Sequence, residues 1–347
     1  MRKSLLNRYL SIYIVLLLFV GLSACRPDGA SVTPTQDPAA IETQTENPAA
    51  TDAPTPTTAA PAVILAISPD ADPSVSDQVQ STLEALAADS GLQVQVYDSL
   101  VPELIHTGVR IVVGVGQDLS GFAGGNPAVQ FVEVDRPGSV PGANLSVIGD
   151  DVLDEQRRAF MAGYLAALVS TDYKVAGLIA SDLPTTTDEV NAYVIGARFF
   201  CGLCNPKYPP YNSFPQWDTL PAGSAAGAYQ STADSFIGLG VEVVYISETL
   251  ASPELTGYFS DLGLKIVSGK GPDMPRDNWA ATVILDPAPA LIVMWSELLA
   301  GTGGHVSPMS VGLADTDAGL ISEGRQRLFD EMLVELEAGY ALPEFTP

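Results

Sequence analysis

Phe160-Met161-Ala162-Gly163-Tyr164-Leu165-Ala166-Ala167-Leu168, followed shortly by Val175-Ala176-Gly177-Leu178-Ile179-Ala180, decides how this chain folds. The first stretch predicts a helix. Phe160, Met161, Tyr164, Leu165 and Leu168 form its apolar face, and Ala162, Gly163, Ala166 and Ala167 allow a neighbour to pack closely. Asp150 or Asp151 caps it, and Asp154 and Glu155 in its first turn suit the positive end of the helix dipole. The second stretch is a continuous apolar run, the pattern of a parallel strand covered on both faces.

Upstream, Val63–Ile67 reads as another buried strand. A helix follows, with apolar residues at Val75, Val79, Leu83 and Leu86, and Gly91 stops it. Strands are expected at Leu92–Tyr97, Ile111–Val115 and Val129–Val134. Downstream the alternation restarts. Helices are expected at Asp188–Phe200, Ser224–Leu239, Ala288–Ala300 and about Gly324–Ala338, with strands at Val241–Ser247, Leu264–Ser268 and Ala281–Leu285. Repeated strand–helix units give parallel sheets with helices on both faces. Two such runs predict an α/β protein of two doubly wound parallel-sheet lobes with a cleft between them. The expected lobes are 62–171 and 172–285, with 286–347 returning to complete both.

The N-terminus has Arg2, Lys3 and Arg8 before an apolar run, Leu10–Gly21, too short to span a bilayer. Leu22-Ser23-Ala24-Cys25 then resembles a bacterial lipobox. The resemblance implies a signal peptide over 1–24 and a lipid on Cys25 that anchors the chain outside the cytoplasmic membrane. Residues 25–61 are rich in Thr, Pro and Ala and poor in large apolar side chains, as in a disordered linker. As a flexible coil this tether would reach about 35 Å. The precursor carries a net charge of −25, and residues 1–24 hold three basic groups and no acid, so the mature chain carries −28. That charge argues against nucleic acid as a partner and against a basic patch for anionic headgroups.

Several motifs in order resemble the basic membrane protein family, substrate-binding lipoproteins of ABC importers. They are Phe160–Ala167, Lys174–Ile179, Val194-Ile195-Gly196-Ala197-Arg198, Trp217-Asp218, Val241–Tyr245, Val311–Asp315 and Gly319–Ser322. The match runs from about Asp151 to the C-terminus and is looser over 62–150. It implies a type I periplasmic-binding-protein fold, a small polar ligand held between the lobes (nucleosides in the better-known members), and a membrane permease as partner. Departures bear on the ligand. Where family members carry an acid and an aromatic after the first strand, this chain has Ser68-Pro69-Asp70-Ala71-Asp72-Pro73-Ser74, without an aromatic. Where they tend to have Gly-Val-Asp, it has Ser268-Gly269-Lys270-Gly271. A lost carboxylate removes charge-assisted hydrogen bonds to sugar hydroxyls, and Lys270 points instead to a ligand with an anionic group.

Ligands of open α/β sheets collect beyond the carboxyl ends of the strands. That rule nominates Asp70, Asp72, Gln117, Asp118, Asp182, Glu248 and Lys270 as polar contacts. The resemblance adds Trp217 as a surface for stacking. Each acid has a plainer reading as a helix cap or a solvated loop charge, and Trp217 as core packing.

Cys201-Gly202-Leu203-Cys204 closes the helix Asp188–Phe200. The negative end of the dipole disfavours a thiolate there, so a structural disulfide is expected in preference to redox chemistry or half a zinc site. Gly114-Val115-Gly116 lacks the third glycine of a dinucleotide fingerprint, and the chain has no Gly-x-Ser-x-Gly elbow or Walker loop. The expectation is a receptor without enzymatic activity, cofactor or metal. The alternatives are a sensory ectodomain that reports ligand without transport, and an exported thiol oxidoreductase built on Cys201 and Cys204.

Overall fold

The computed structural model describes residues 60–202 and 204–340. The expected signal peptide, the lipidated Cys25 and nearly all of the expected linker lie outside the described residues.

The first sheet is built from β1 (Ala62–Ile67), β2 (Gln93–Tyr97), β3 (Val109–Val115), β4 (Gln130–Val134) and β5 (Leu145–Ile148). Helix α1 (Pro73–Asp89) links β1 to β2, and the short α2 (Ser120–Gly125) lies between β3 and β4. β1 is apolar throughout because its two faces meet two different cores. Val63 and Leu65 pack with Val75, Val79 and Leu83 of α1, while Ile64 and Ala66 pack with Val112, Leu119 and Phe131 on the other side. α1 starts where expected of a capped helix with proline in its first turn. The Asp72 carboxylate accepts from the Ser74 and Val75 N–H groups, and Pro73 lacks the donor that position would leave orphaned.

The chain then enters the second sheet through α3 (Asp151–Val169), β6 (Val175–Ala180), α4 (Thr186–Cys201), β7 (Gln216–Leu220), α5 (Ala226–Gly238), β8 (Val243–Ile246), α6 (Pro253–Asp261), β9 (Lys265–Ser268) and β10 (Trp279–Asp286). It returns to the first lobe with α7 (Ala288–Ala300) and the two-residue β11 (Val306–Ser307), and ends in the second with β12 (Ser310–Ala314) and α8 (Glu323–Glu337). The sheet orders are β11-β5-β4-β3-β1-β2 and β12-β10-β9-β8-β6-β7. Every pairing is parallel except β10 with β12.

The helix quoted at the outset sits elsewhere than the expected lobe boundary placed it. α3 packs in the core of the second sheet with Val175, Ile179, Tyr193 and Tyr245, so the first lobe's opening stretch ends near Ile148 and not at 171. The small residues decide this. A Cβ on Gly163 would stand 2.2 Å from the Tyr193 carbonyl oxygen, and one on Gly196 would stand 1.9 Å from that of Phe160. α3 and α4 therefore touch backbone to backbone. Strands β5, β7, β11 and β12 and helices α2 and α6 had no counterpart among the expected elements. β5 and β12 are short, and β7 is an edge strand whose Gln216, Trp217 and Asp218 do not form an apolar run.

Candidate functional site

The carboxyl ends of the two sheets' strands face each other and enclose a small cavity. From the first lobe it is lined by Asp72, Ser74 and Val75 at the start of α1 and by Asp135 after β4. From the second it is lined by Glu155 and Arg158 of α3, Glu248 after β8 and Gly269 after β9. Ile284 and Leu285, near the end of β10, form the floor.

Arg158 dominates the second lobe's face. Its Nε donates to Glu155 Oε2 at 3.2 Å, Nη2 pairs with Glu155 Oε1, and Nη1 pairs with Glu248 Oε2. Its side chain is 5% exposed. Burial opposes the guanidinium charge, but Glu155 and Glu248 outweigh it and hold the proton more firmly than in free arginine. Glu189, at the start of α4, is buried nearby. Burial pushes its carboxyl up, against a hydrogen bond from the Thr185 hydroxyl at 2.6 Å.

The first lobe's face is looser. Among the described residues no group hydrogen-bonds or ion-pairs with the Asp135 carboxylate, and the residue holds φ at 51°, where side chains seldom sit. Burial, then Glu248 and Asp72, push its carboxyl above the ordinary range. Like charges from the two lobes thus oppose one another across the gap. The enclosed space is about 80 Å³, room for two or three water molecules. A ring-sized ligand needs several times that volume. Larger hollows lie elsewhere, and the two largest are these. One of about 300 Å³ lies between the loop Pro272–Asp277 and the turn after β12, and an open groove of about 580 Å³ lies among Tyr164, Phe199, Phe200 and α8. Neither stands where both sheets' strand ends converge.

Of the residues nominated from sequence, the structure brings Asp72 and Glu248 to this cleft. The others go elsewhere. Asp70 is exposed in the turn after β1. Gln117 bridges the Asp98 carbonyl and the Leu100 N–H, and Asp118 accepts from Ser120 and pairs with Arg136 at 2.8 Å. Asp182 accepts from the Ala222 N–H at 3.0 Å and ties two loops together. Lys270 is exposed and does not line the cleft, so the cation expected to meet an anionic ligand is not there. Trp217 is 52% exposed on edge strand β7, and no aromatic side chain lines the cleft among the described residues. Three residues were missed. Asp135 follows β4, so the strand-end rule extended to that strand would have found it. Glu155 and Arg158 show the i, i+3 acid–base spacing at a helix start, a signal too common to stand out alone. Cys201 and Cys204 lie at the C-terminal end of α4 with Cα atoms 5.4 Å apart, a separation that a disulfide spans.

No protein-family model matches the chain, and no curated protein sequence matches it. Solved structures do match. The chain is similar to a transcriptional activator of the comK gene from Bacillus halodurans, at TM-score 0.56 and 15% identity over 82% of this chain and 100% of that one. An ABC-transporter solute-binding protein from Aeropyrum pernix K1 gives 0.50 and 13% over 80% and 92%. The arabinose-binding protein AraP from Geobacillus stearothermophilus gives 0.52 and 11% over 74% and 97%. Identities this low speak for the fold alone. The architecture is type I periplasmic-binding-protein-like: two parallel-dominated sheets, helices on both faces, and the chain passing between them three times.

Proposed function

We propose that this chain is a lipid-anchored, extracytoplasmic substrate-binding protein of an ABC importer, which closes its lobes on a small polar ligand and presents it to a membrane permease. The observation that carries the binding role is the cleft itself, where ionisable side chains from both lobes converge on one enclosed space. A ligand touching both faces favours the closed state over the open one, which is what such a receptor requires. Anchoring and transport rest on the lipobox-like Leu22–Cys25 and on the resemblance to the basic membrane protein family. Among the described residues no helix is long and apolar enough to cross a membrane.

The charges narrow the ligand. Among the described residues Arg158 is the one cation lining the cleft and is already paired with two carboxylates, while Asp72 and Asp135 add further negative charge. A neutral hydroxylated or a cationic ligand suits that inventory, and an anionic one does not. A nucleoside draws support from the family resemblance alone, since among the described residues no ring lines the cleft to stack a base. We read Cys201 and Cys204 as a structural crosslink at the end of α4, away from the helix start where a thiol would be activated.

Thermal unfolding of the purified chain against sugars, nucleosides, amines and anionic metabolites tests this reading. A ligand at 100 times its dissociation constant adds about 2.7 kcal/mol and moves the midpoint by several degrees. A shift with a neutral or cationic class supports it, and a shift with anions alone overturns the charge argument. Silence across the panel, from protein stripped of bound ligand, overturns the small-molecule reading. The second reading is a sensory ectodomain, favoured by the likeness to a transcriptional activator. An ATPase and permeases encoded beside the chain speak for transport, and a kinase or cyclase for sensing.

A further inference from the structure

Three crossings join the two lobes, and one buried carboxylate holds two of them. The first crossing is Gly149–Asp150, from β5 to α3. The second is Pro287, from β10 to α7, and the third is Pro308–Met309, from β11 to β12. Asp154, in the first turn of α3, is 2% exposed. Its Oδ2 accepts from the Asp150 N–H at 2.7 Å and its Oδ1 from the Met309 N–H at 3.0 Å. α3 belongs to the second lobe's core, whereas the Met309 side chain is packed in the first lobe's core with Ile148 and Met294. The carboxylate therefore ties a helix that rides with one lobe to backbone anchored in the other. The Gly149 N–H also donates to the Ser307 carbonyl at 2.9 Å, so the first and third crossings lie side by side.

We propose that Asp154 is a proton-operated latch on the hinge: ionised, it holds the first and third crossings together, and protonated, it lets one of them go. The inference rests on the reading that the lobes move about these crossings. The chemistry follows from the donors. A carboxylate accepts at both oxygens, but a carboxylic acid presents a hydroxyl at one of them, which cannot serve an inward-facing N–H as well. The proton arrives in an accessible range, because burial pushes the Asp154 carboxyl up to about 7 against the pull of the two N–H groups. The charged groups around it are Asp150, which favours the proton, and Arg157, which opposes it. The third crossing, Pro308–Met309, has no titratable side chain, and Glu337 of α8 accepts from the Ser310 hydroxyl just beyond it.

Amide hydrogen exchange on the full chain without added ligand tests the latch. With rates corrected for intrinsic pH dependence, protection at Asp150 or Met309 should fall roughly tenfold between pH 8.5 and 5.5, and small-angle scattering should report a larger radius of gyration at the acid end. In Asp154→Asn, whose side chain offers one acceptor and one donor at every pH, both readouts should stay flat at the acid value. Constant protection in the wild-type chain overturns the proposal, as does an unchanged pH dependence in the variant. If the variant fails to fold, wild-type exchange alone decides. Because no ligand is added, the result is independent of whether the panel above finds one.

Discussion

On the second lobe's face of the cleft, Arg158 is enclosed by Glu155 and Glu248 and the charges are largely matched. On the first lobe's face, Asp135 has no partner among the described residues, and Asp72 engages one oxygen in capping α1. One face is set before any ligand arrives, and the other is left under mutual repulsion with its opposite. On the proposed receptor reading, the second lobe orients the ligand and the first lobe is satisfied only on closure.

The largest test of this contrast goes to the platform beneath the ordered face. Gly196→Val puts side-chain atoms where the Phe160 carbonyl stands, so the variant should lose more than about 4 kcal/mol or fail to fold, read by denaturant unfolding. Next, Arg158→Met should make the ordered face resemble the repelling one. Removing one partner of a buried pair costs 3–5 kcal/mol, and about 3 is expected here because Glu155 and Glu248 keep 27% and 35% exposure. A loss well below that would mean that packing, not charge, holds that face.

Asp135→Asn works in the opposite direction and quiets the repelling face. A carboxyl whose pKa is raised by folding contributes stability below its unfolded pKa that is lost as pH rises through the folded one. The variant should therefore melt higher than wild type at pH 8, by about 2 °C, and match it at pH 4. Asparagine tolerates the left-handed backbone at this position, so the comparison isolates charge. The smallest effects belong to Lys270→Ala and Trp217→Ala. Both side chains are outside the cleft, and any ligand response found in the panel should survive either change. Loss of that response in either variant would move the site away from the cavity.

The sequence made the α/β class and the two-lobe plan legible because the strand signals are unusually clean. β1, β6 and β8 are buried on both faces and read as unbroken apolar runs, and β3 does so beyond its exposed Arg110. It was less informative about the site. Sequence reasoning can nominate a strand end, as it did for Asp72 and Glu248, but it cannot say which loop charge turns inward. Asp118, Asp182 and Gln117 sit at equally plausible strand ends, yet each is engaged in local loop bonds. Arg158 was hidden for a different reason. Its importance comes from Glu248, ninety residues away, which only the folded second sheet brings to it. The lobe boundary was misplaced because α3 follows the first lobe in sequence while its glycine pairs it with α4 in the second.

That helix contact reaches further than packing. α3 carries Glu155 and Arg158 to the cleft, and α4 carries Glu189 buried nearby. With backbones touching at Gly163 and Gly196, the two helices have no slack between them. A single methyl group added at either glycine would displace Glu155 and Arg158 together with Glu189 behind them, from a position outside the cleft. In a lineage of such proteins, the two glycines would be expected to change in concert or not at all, and ligand preference could drift through them while every residue lining the cleft stayed the same.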